Sequence, residues 1–141
     1  QAILEKAKAK TYIRETMEKV HLQPSRRSTL EVVNDQIGSP TYSRDLAAAA
    51  GLLIAKNARG IFHVTNRGTC SWHQFAVKIL KESGFDEITV VPIKSSQLQR
   101  PARRPAYSVL STKKFVQTTG KLLQPWQLAL QDYLKNCRSN H

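Results

Sequence analysis

Residues 46 to 55 read LAAAAGLLIA, ten positions without a polar side chain. Wound as a helix this is almost three turns with no face for water, and a helix apolar all round is covered on several sides. Its alanines and glycine let neighbouring backbones come close. The run is about half of the roughly 20 residues a membrane span needs, so a packed interior is its place. A lone domain of 141 residues can hold a core without disulfides or metals, but it has little material to cover such a helix on every side. The helix is therefore expected to be sandwiched within something larger.

Around it the chain alternates helix and strand. Gln1 to about His21 reads as a Lys-rich helix with Ile13, Met17 and Val20 on one stripe, and QPSRRST (23–29) breaks it as a linker. LEVVN from Leu30 is a short strand. Gly38 and Pro40 turn the chain, and Thr41 or Ser43 can cap the apolar helix, which runs to about Asn57. GIFHVTN (60–66) has the pattern of a strand covered on both faces. In SWHQFAVKILKESG, Ser71 and Gln74 make a capping box, Trp72, Phe75, Ala76, Ile79 and Leu80 form one stripe, and Gly84 stands at the C-terminal cap. ITVVPIK (88–94) is a strand that Pro92 assigns to an edge or an end. Ser111 is expected to cap a short helix through Phe115, with Gly120 closing that turn. Pro125 opens a last helix whose buried face is Trp126, Ala129, Leu130, Tyr133 and Leu134. The order is α, β, α, β, α, β, α, α.

Charge narrows the partners. The net charge is +12, and between Glu87 and Asp132 there are seven Lys or Arg and no acid. Such a surface attracts anions: a phosphorylated small molecule, a nucleic-acid backbone or an acidic partner, or else it is a solvated basic face. Arg100, Arg103 and Arg104 lie within five residues, on a loop stiffened by Pro101 and Pro105. Arginine forks match phosphate oxygens, which makes a diphosphate a natural ligand, although surface arginines paired with acids would read alike. NDQ (34–36) ends a strand before a glycine turn and a helix, where α/β proteins present ligand contacts; Asp35 and Gln36 are equally turn formers that satisfy neighbouring backbone groups. VTNRGTCS (64–71) poses the same choice between an anion-binding helix start and an ordinary loop. Cys70 and Cys137 show no disulfide or zinc spacing and suit free thiols in a reducing cytoplasm. Cys70 reads as a packed thiol. His63 and His73 have no metal-ligand spacing; they are expected in the core and on the surface respectively.

Taken in order, VVNDQIGSPTYSRDLA, FHVTNRGTCSWHQFA, RPARRPAYSVLSTKKF and LQPWQLALQDYL resemble the C-terminal part of dTDP-4-dehydrorhamnose reductase, an extended short-chain dehydrogenase. The resemblance is specific from about Leu30 to Leu134 and looser before it, where TYIRETM is similar to the family's preceding helix. Ser111 stands where many relatives carry Asp. The fold it implies is α/β, the substrate-binding part of a Rossmann-type enzyme without most of the dinucleotide-binding sheet. It divides the chain into an N-terminal helix and linker (1–29), a nucleotide-sugar-binding portion (30–136) and a tail (137–141). The implied activity of the complete enzyme is NADPH reduction of dTDP-4-dehydro-L-rhamnose to dTDP-L-rhamnose for cell-surface polysaccharide. By the same resemblance Gln36, Gly38, Ser39 and Pro40 face the substrate, and Arg100 or Arg104 approaches its diphosphate.

That family holds its cofactor with GxxGxxG and protonates its substrate through Tyr-x-x-x-Lys. Neither occurs here: Tyr12, Tyr42, Tyr107 and Tyr133 are followed four residues on by Thr16, Leu46, Ser111 and Cys137. No catalytic residue or metal ligand is therefore assigned, and the chain alone is expected neither to bind NADPH nor to turn over. The expected partners are a dTDP-sugar and a dinucleotide-binding half or a second copy of the chain, in the cytoplasm, with no membrane and no nucleic acid. Two alternatives stay open: a basic anion- or nucleic-acid-binding module, and a noncatalytic regulatory subunit that keeps the reductase fold.

Overall fold

A computed structural model describes residues 29–98 and 102–139. The expected opening helix, the linker up to residue 28 and Arg100 lie outside the described residues. Along the chain run β1 (Thr29–Val33), β2 (Ile37–Gly38), α1 (Ser43–Ala55), β3 (Cys70–Ser71), α2 (Trp72–Ser83), β4 (Thr89–Ile93), a 3-10 turn (Ser95–Gln97), α3 (Lys113–Thr119) and α4 (Trp126–Ser139). β1 and β4 pair in parallel, from Thr29 opposite Thr89 to Val33 opposite Ile93. Pro92 occupies β4 opposite Val32, an edge position that loses no ladder bond on its open side. β2 and β3 pair antiparallel, and a parallel bridge joins Ile37 to Tyr107.

The core has two parts. Leu80, Phe85 and Ile88, with Leu30 and Val90 against them, close α2 onto the parallel pair. Cys70, Trp126, Leu130 and Leu134, with Phe75 and Ile79, join α2 to α4, and the Phe75 and Trp126 rings meet edge to face at 5.7 Å. The α2 caps are as the spacing predicts: the Gln74 amide donates to Ser71 Oγ, the Ser71 amide donates to Gln74 Oε1, and Gly84 takes a left-handed φ of 78°. The stripe is narrower than expected, because Trp72 at its N-terminal end is 55 % exposed.

Other local expectations are corrected. Residues 61–66 form no ladder among the described residues, since a β-prone run still needs a neighbouring strand to supply its donors and acceptors. Their first carbonyl, on Ile61, instead accepts from Lys114 Nζ at 3.0 Å, and the same ammonium sits 4.3 Å over the Phe62 ring. His63, expected in the core, is exposed there. α1 has no side-chain cap from Thr41 or Ser43, because the Thr41 hydroxyl is used between the Ser39 carbonyl and the Asn66 amide. α3 starts at Lys113 without a Ser111 cap and runs past Phe115 to Thr119, with Gly120 left-handed at its end. The apolar α1, by contrast, has the little cover expected of a chain of this size: Ala49 is buried, whereas Leu46 and Leu52 are exposed and Ile54 is 76 % exposed.

Candidate functional site

The parallel pairing brings the C-terminal ends of β1 and β4 side by side, and the Asn34 amide donates to the Ile93 carbonyl at 2.9 Å. One step further, Asp35 meets Ser95. The Ser95 amide donates to both carboxylate oxygens at 3.0 and 2.9 Å, and its hydroxyl donates to Asp35 Oδ1 at 2.6 Å. The hydroxyl bond, then the amide bond, hold the Asp35 carboxyl below its ordinary value. Gln36, only 6 % exposed, donates from Nε2 to the same Ser95 oxygen at 2.8 Å. These three residues line an open cleft of about 900 Å³ together with Arg103, Arg104 and Pro105. Both arginines are exposed, and among the described residues neither has an ion-pair partner. Two exposed guanidinium groups that line one cleft with a turn rich in hydrogen-bonding groups suit a polar anion.

Gly38, Ser39 and Pro40 stand elsewhere. Ile37 is crossed by the returning chain, its amide donating to the Ala106 carbonyl at 2.8 Å and its carbonyl accepting from the Ser108 amide at 2.9 Å. Gln36 lies before this crossing and the Gly38–Pro40 turn after it. The turn lines a smaller cavity of about 210 Å³ with Thr65, Trp72 and Phe75. A Cβ on Gly38 would lie 3.3 Å from Ser108 Oγ, so the glycine allows the close crossing. Thus the structure brings Gln36 and Arg104 together across one cleft, and it groups Gly38, Ser39 and Pro40 in another.

The order of this region rests on a residue that sequence reading does not single out. Asn66 is 1 % exposed and every polar atom of its side-chain amide is used. Its Oδ1 accepts from the Tyr42 amide at 2.8 Å, while Nδ2 donates to Asp45 Oδ2 at 2.6 Å and to the Gln124 carbonyl at 3.1 Å. Gln124 Nε2 in turn donates to Asp45 and Asp132. VTN thus ends in a buried joint that locks the start of α1 to the start of α4, which favours the structural reading of that loop. Ser95 is likewise absent from the sequence-based candidates; its signal is a pair of serines directly after a strand that runs parallel to β1, legible only once that pairing is known.

The remaining candidates are quiet. Burial pushes the Cys70 thiol up to about 11, which makes it a packing group rather than a nucleophile. His73 is half-buried and its Nε2 donates to the Val90 carbonyl at 3.3 Å. Among the described residues no His, Cys, Asp and Glu are grouped as metal ligands, and no helix is long and apolar enough to cross a membrane.

Comparison with known proteins gives the family of the chain. The family model described as the RmlD substrate binding domain matches residues 7–139. The spore coat polysaccharide biosynthesis protein SpsK of Bacillus subtilis is 41 % identical over 109 residues, which are 77 % of this chain and 38 % of that protein. A dTDP-4-dehydrorhamnose reductase of Mycobacterium tuberculosis is 39 % identical over 102 residues, 72 % of this chain and 34 % of the enzyme. The crystal structure of dTDP-4-dehydrorhamnose reductase from Clostridium acetobutylicum superposes with a TM-score of 0.75 at 35 % identity, over 86 % of this chain and 42 % of that one. The Bacillus anthracis reductase, solved in complex with NADP, gives a TM-score of 0.73 at 34 % identity, over 91 % and 42 %. The chain therefore spans well under half the length of the relatives it matches. It has a small α/β fold that aligns to part of these reductases, and it belongs to the RmlD substrate-binding-domain family.

Proposed function

We propose that this chain is the nucleotide-sugar-binding portion of a dTDP-4-dehydrorhamnose reductase-like oxidoreductase. The observation that carries the reading is the meeting of the Gln36 turn with Arg104 across one cleft, in a chain of this family. In this reading Arg104, with Arg103 beside it, binds the diphosphate of a dTDP-sugar, and Gln36 contacts a neutral part of the same ligand. The Gly38–Pro40 turn lies beyond the crossing at Ile37, on the smaller cavity, and is given no contact with this ligand. The complete enzyme reduces dTDP-4-dehydro-L-rhamnose with NADPH, on the side of polysaccharide biosynthesis.

The chain lacks the two sequence motifs that the family uses for its cofactor and its proton. Its glycines, at 38, 51, 60, 68, 84 and 120, nowhere make a GxxGxxG turn, and no tyrosine has a lysine four residues on. No hydride-transfer step is therefore assigned to these residues. NADPH, where it acts, is held by a dinucleotide-binding half that this chain would pair with, and the working compartment is the cytoplasm.

Calorimetric titration of the chain with dTDP and dTDP-L-rhamnose, beside a random oligonucleotide, tests the reading. Micromolar binding of the nucleotides, weakened about tenfold or more by Arg104→Ala as expected for a lost charge-assisted hydrogen bond, supports it. Absence of nucleotide binding, with oligonucleotide affinity falling steeply in salt, would instead favour a basic nucleic-acid module built on the +12 charge.

A further inference from the structure

Hydrogen-bond polarity at the cleft wall is fixed by chemistry. The Ser95 hydroxyl has one proton and lies between two neighbours, Asp35 Oδ1 at 2.6 Å and Gln36 Nε2 at 2.8 Å. A carboxylate can only accept, and here it is held on the serine by the backbone amide as well. The serine proton must therefore go to Asp35, and its oxygen must accept from Gln36. A glutamine amide can otherwise turn over at no intrinsic cost, since its two ends have nearly the same shape. With Asp35 ionised, only one orientation survives. Nε2 points to Ser95, and Oε1, which has no partner among the described residues, is left to the cleft that Gln36 lines.

We infer that Asp35 and Ser95 are positioning residues that set the amide polarity of Gln36, so that the cleft presents a fixed hydrogen-bond acceptor and selects a ligand group that donates. The donor is an N–H or O–H of the ligand. In a dTDP-sugar, three kinds of group have this chemistry: the imide N–H of the base, the 3′-hydroxyl of the deoxyribose and a hydroxyl of the hexose. The choice of ligand rests on the nucleotide-sugar reading above; the relay itself does not.

Asp35→Asn adds a donor where an obligate acceptor stood. The substituted amide can then donate to Ser95, Ser95 can donate to Gln36 Oε1, and the glutamine amide can reverse to show N–H to the cleft. Ser95→Ala cuts the relay, whereas Ser95→Thr keeps the hydroxyl.

The test combines nitrogen-15 NMR of the Gln36 side-chain amide with titration of the folded full-length variants. The Gln36 amide resonances should move in Asp35→Asn and in Ser95→Ala and stay close to wild type in Ser95→Thr. Affinity should fall about tenfold in the first two and be retained in the third. If the base is the donor, the loss appears with dTDP and vanishes with N3-methyl-dTDP; if the deoxyribose hydroxyl is the donor, the loss persists with N3-methyl-dTDP and vanishes with the 3′-deoxy analogue. If the hexose is the donor, the loss appears with dTDP-rhamnose and not with dTDP. Unmoved Gln36 resonances in both Asp35→Asn and Ser95→Ala would overturn the relay, as would a Ser95→Thr variant that loses as much affinity as Ser95→Ala. A wild-type chain that binds no nucleotide would sink the nucleotide-sugar reading instead, and the relay would then stand or fall on the resonances alone.

Discussion

At the scale of single residues, the structure separates side chains that hold the fold from those that face the cleft. Asp35 does the former for the latter. Its native carboxyl lies below the ordinary value of 3.8, so its contribution to stability is complete above that value and is lost as pH falls through the depressed one. Asp35→Asn should therefore be less stable than wild type at neutral pH, and urea midpoints should show the difference closing on acidification. Cys70 behaves in the opposite sense. Its thiol, pushed up to about 11 by burial, should stay unreactive toward a disulfide reagent at pH about 8, where an unperturbed thiol at about 8.5 reacts readily. Denaturant should release the Cys70 thiol to the reagent, so the thiol count of the unfolded chain should exceed that of the folded one.

Between elements, two joints carry the arrangement. Asn66→Ala would strip the Tyr42 amide, the Asp45 carboxylate and the Gln124 carbonyl of a partner, and thermal or urea unfolding should register a loss of about 2–4 kcal/mol. Gly68 precedes β3 with a φ of +87°, and a Cβ there would approach Trp126 Cδ1 to 3.1 Å. Gly68→Ala should cost about 1–3 kcal/mol, combining left-handed strain with pressure on the indole. Neither joint is legible in the sequence to the same degree as the α2 caps. Ser71, Gln74 and Gly84 interact within one helix, where spacing alone predicts the bonds. Asn66 binds residues 21 to 58 positions away, and nothing in VTN says which amide it will meet. The candidate site divides in the same way. Gln36 and Arg104 are recognisable as residue types, but their meeting depends on a chain crossing at Ile37 and Tyr107 that has no local signature. That crossing also sends Gly38, Ser39 and Pro40 into a different cavity from Gln36, although all four belong to a single turn.

For the whole molecule, the tension is between a strongly cationic chain and an uncovered apolar face. Leu46, Ala50 and Leu53 of α1 face Ile61, Phe62 and Leu110 across an open groove of about 480 Å³, and Ile54 and Ile61 stand 76 % and 79 % exposed beside it. Burying a side chain of that size is worth about 1.5–3 kcal/mol, so each contributes to association when another surface is available and almost nothing to the isolated fold. The net charge of +12 opposes self-association at long range, but salt screens it within about 10 Å at 0.1 M, which leaves the contact energy of the apolar face in place. The chain should therefore scatter more light as salt rises. A double variant, Ile54→Lys with Ile61→Lys, should remove most of that scattering while changing unfolding free energy by no more than about 0.5 kcal/mol, as for exposed positions generally. Static light scattering across a salt series, read beside the urea midpoint, separates the two quantities. A large fall in the midpoint would mean that these isoleucines are buried in the chain's own folded state, and the uncovered face of α1 would then be ruled out.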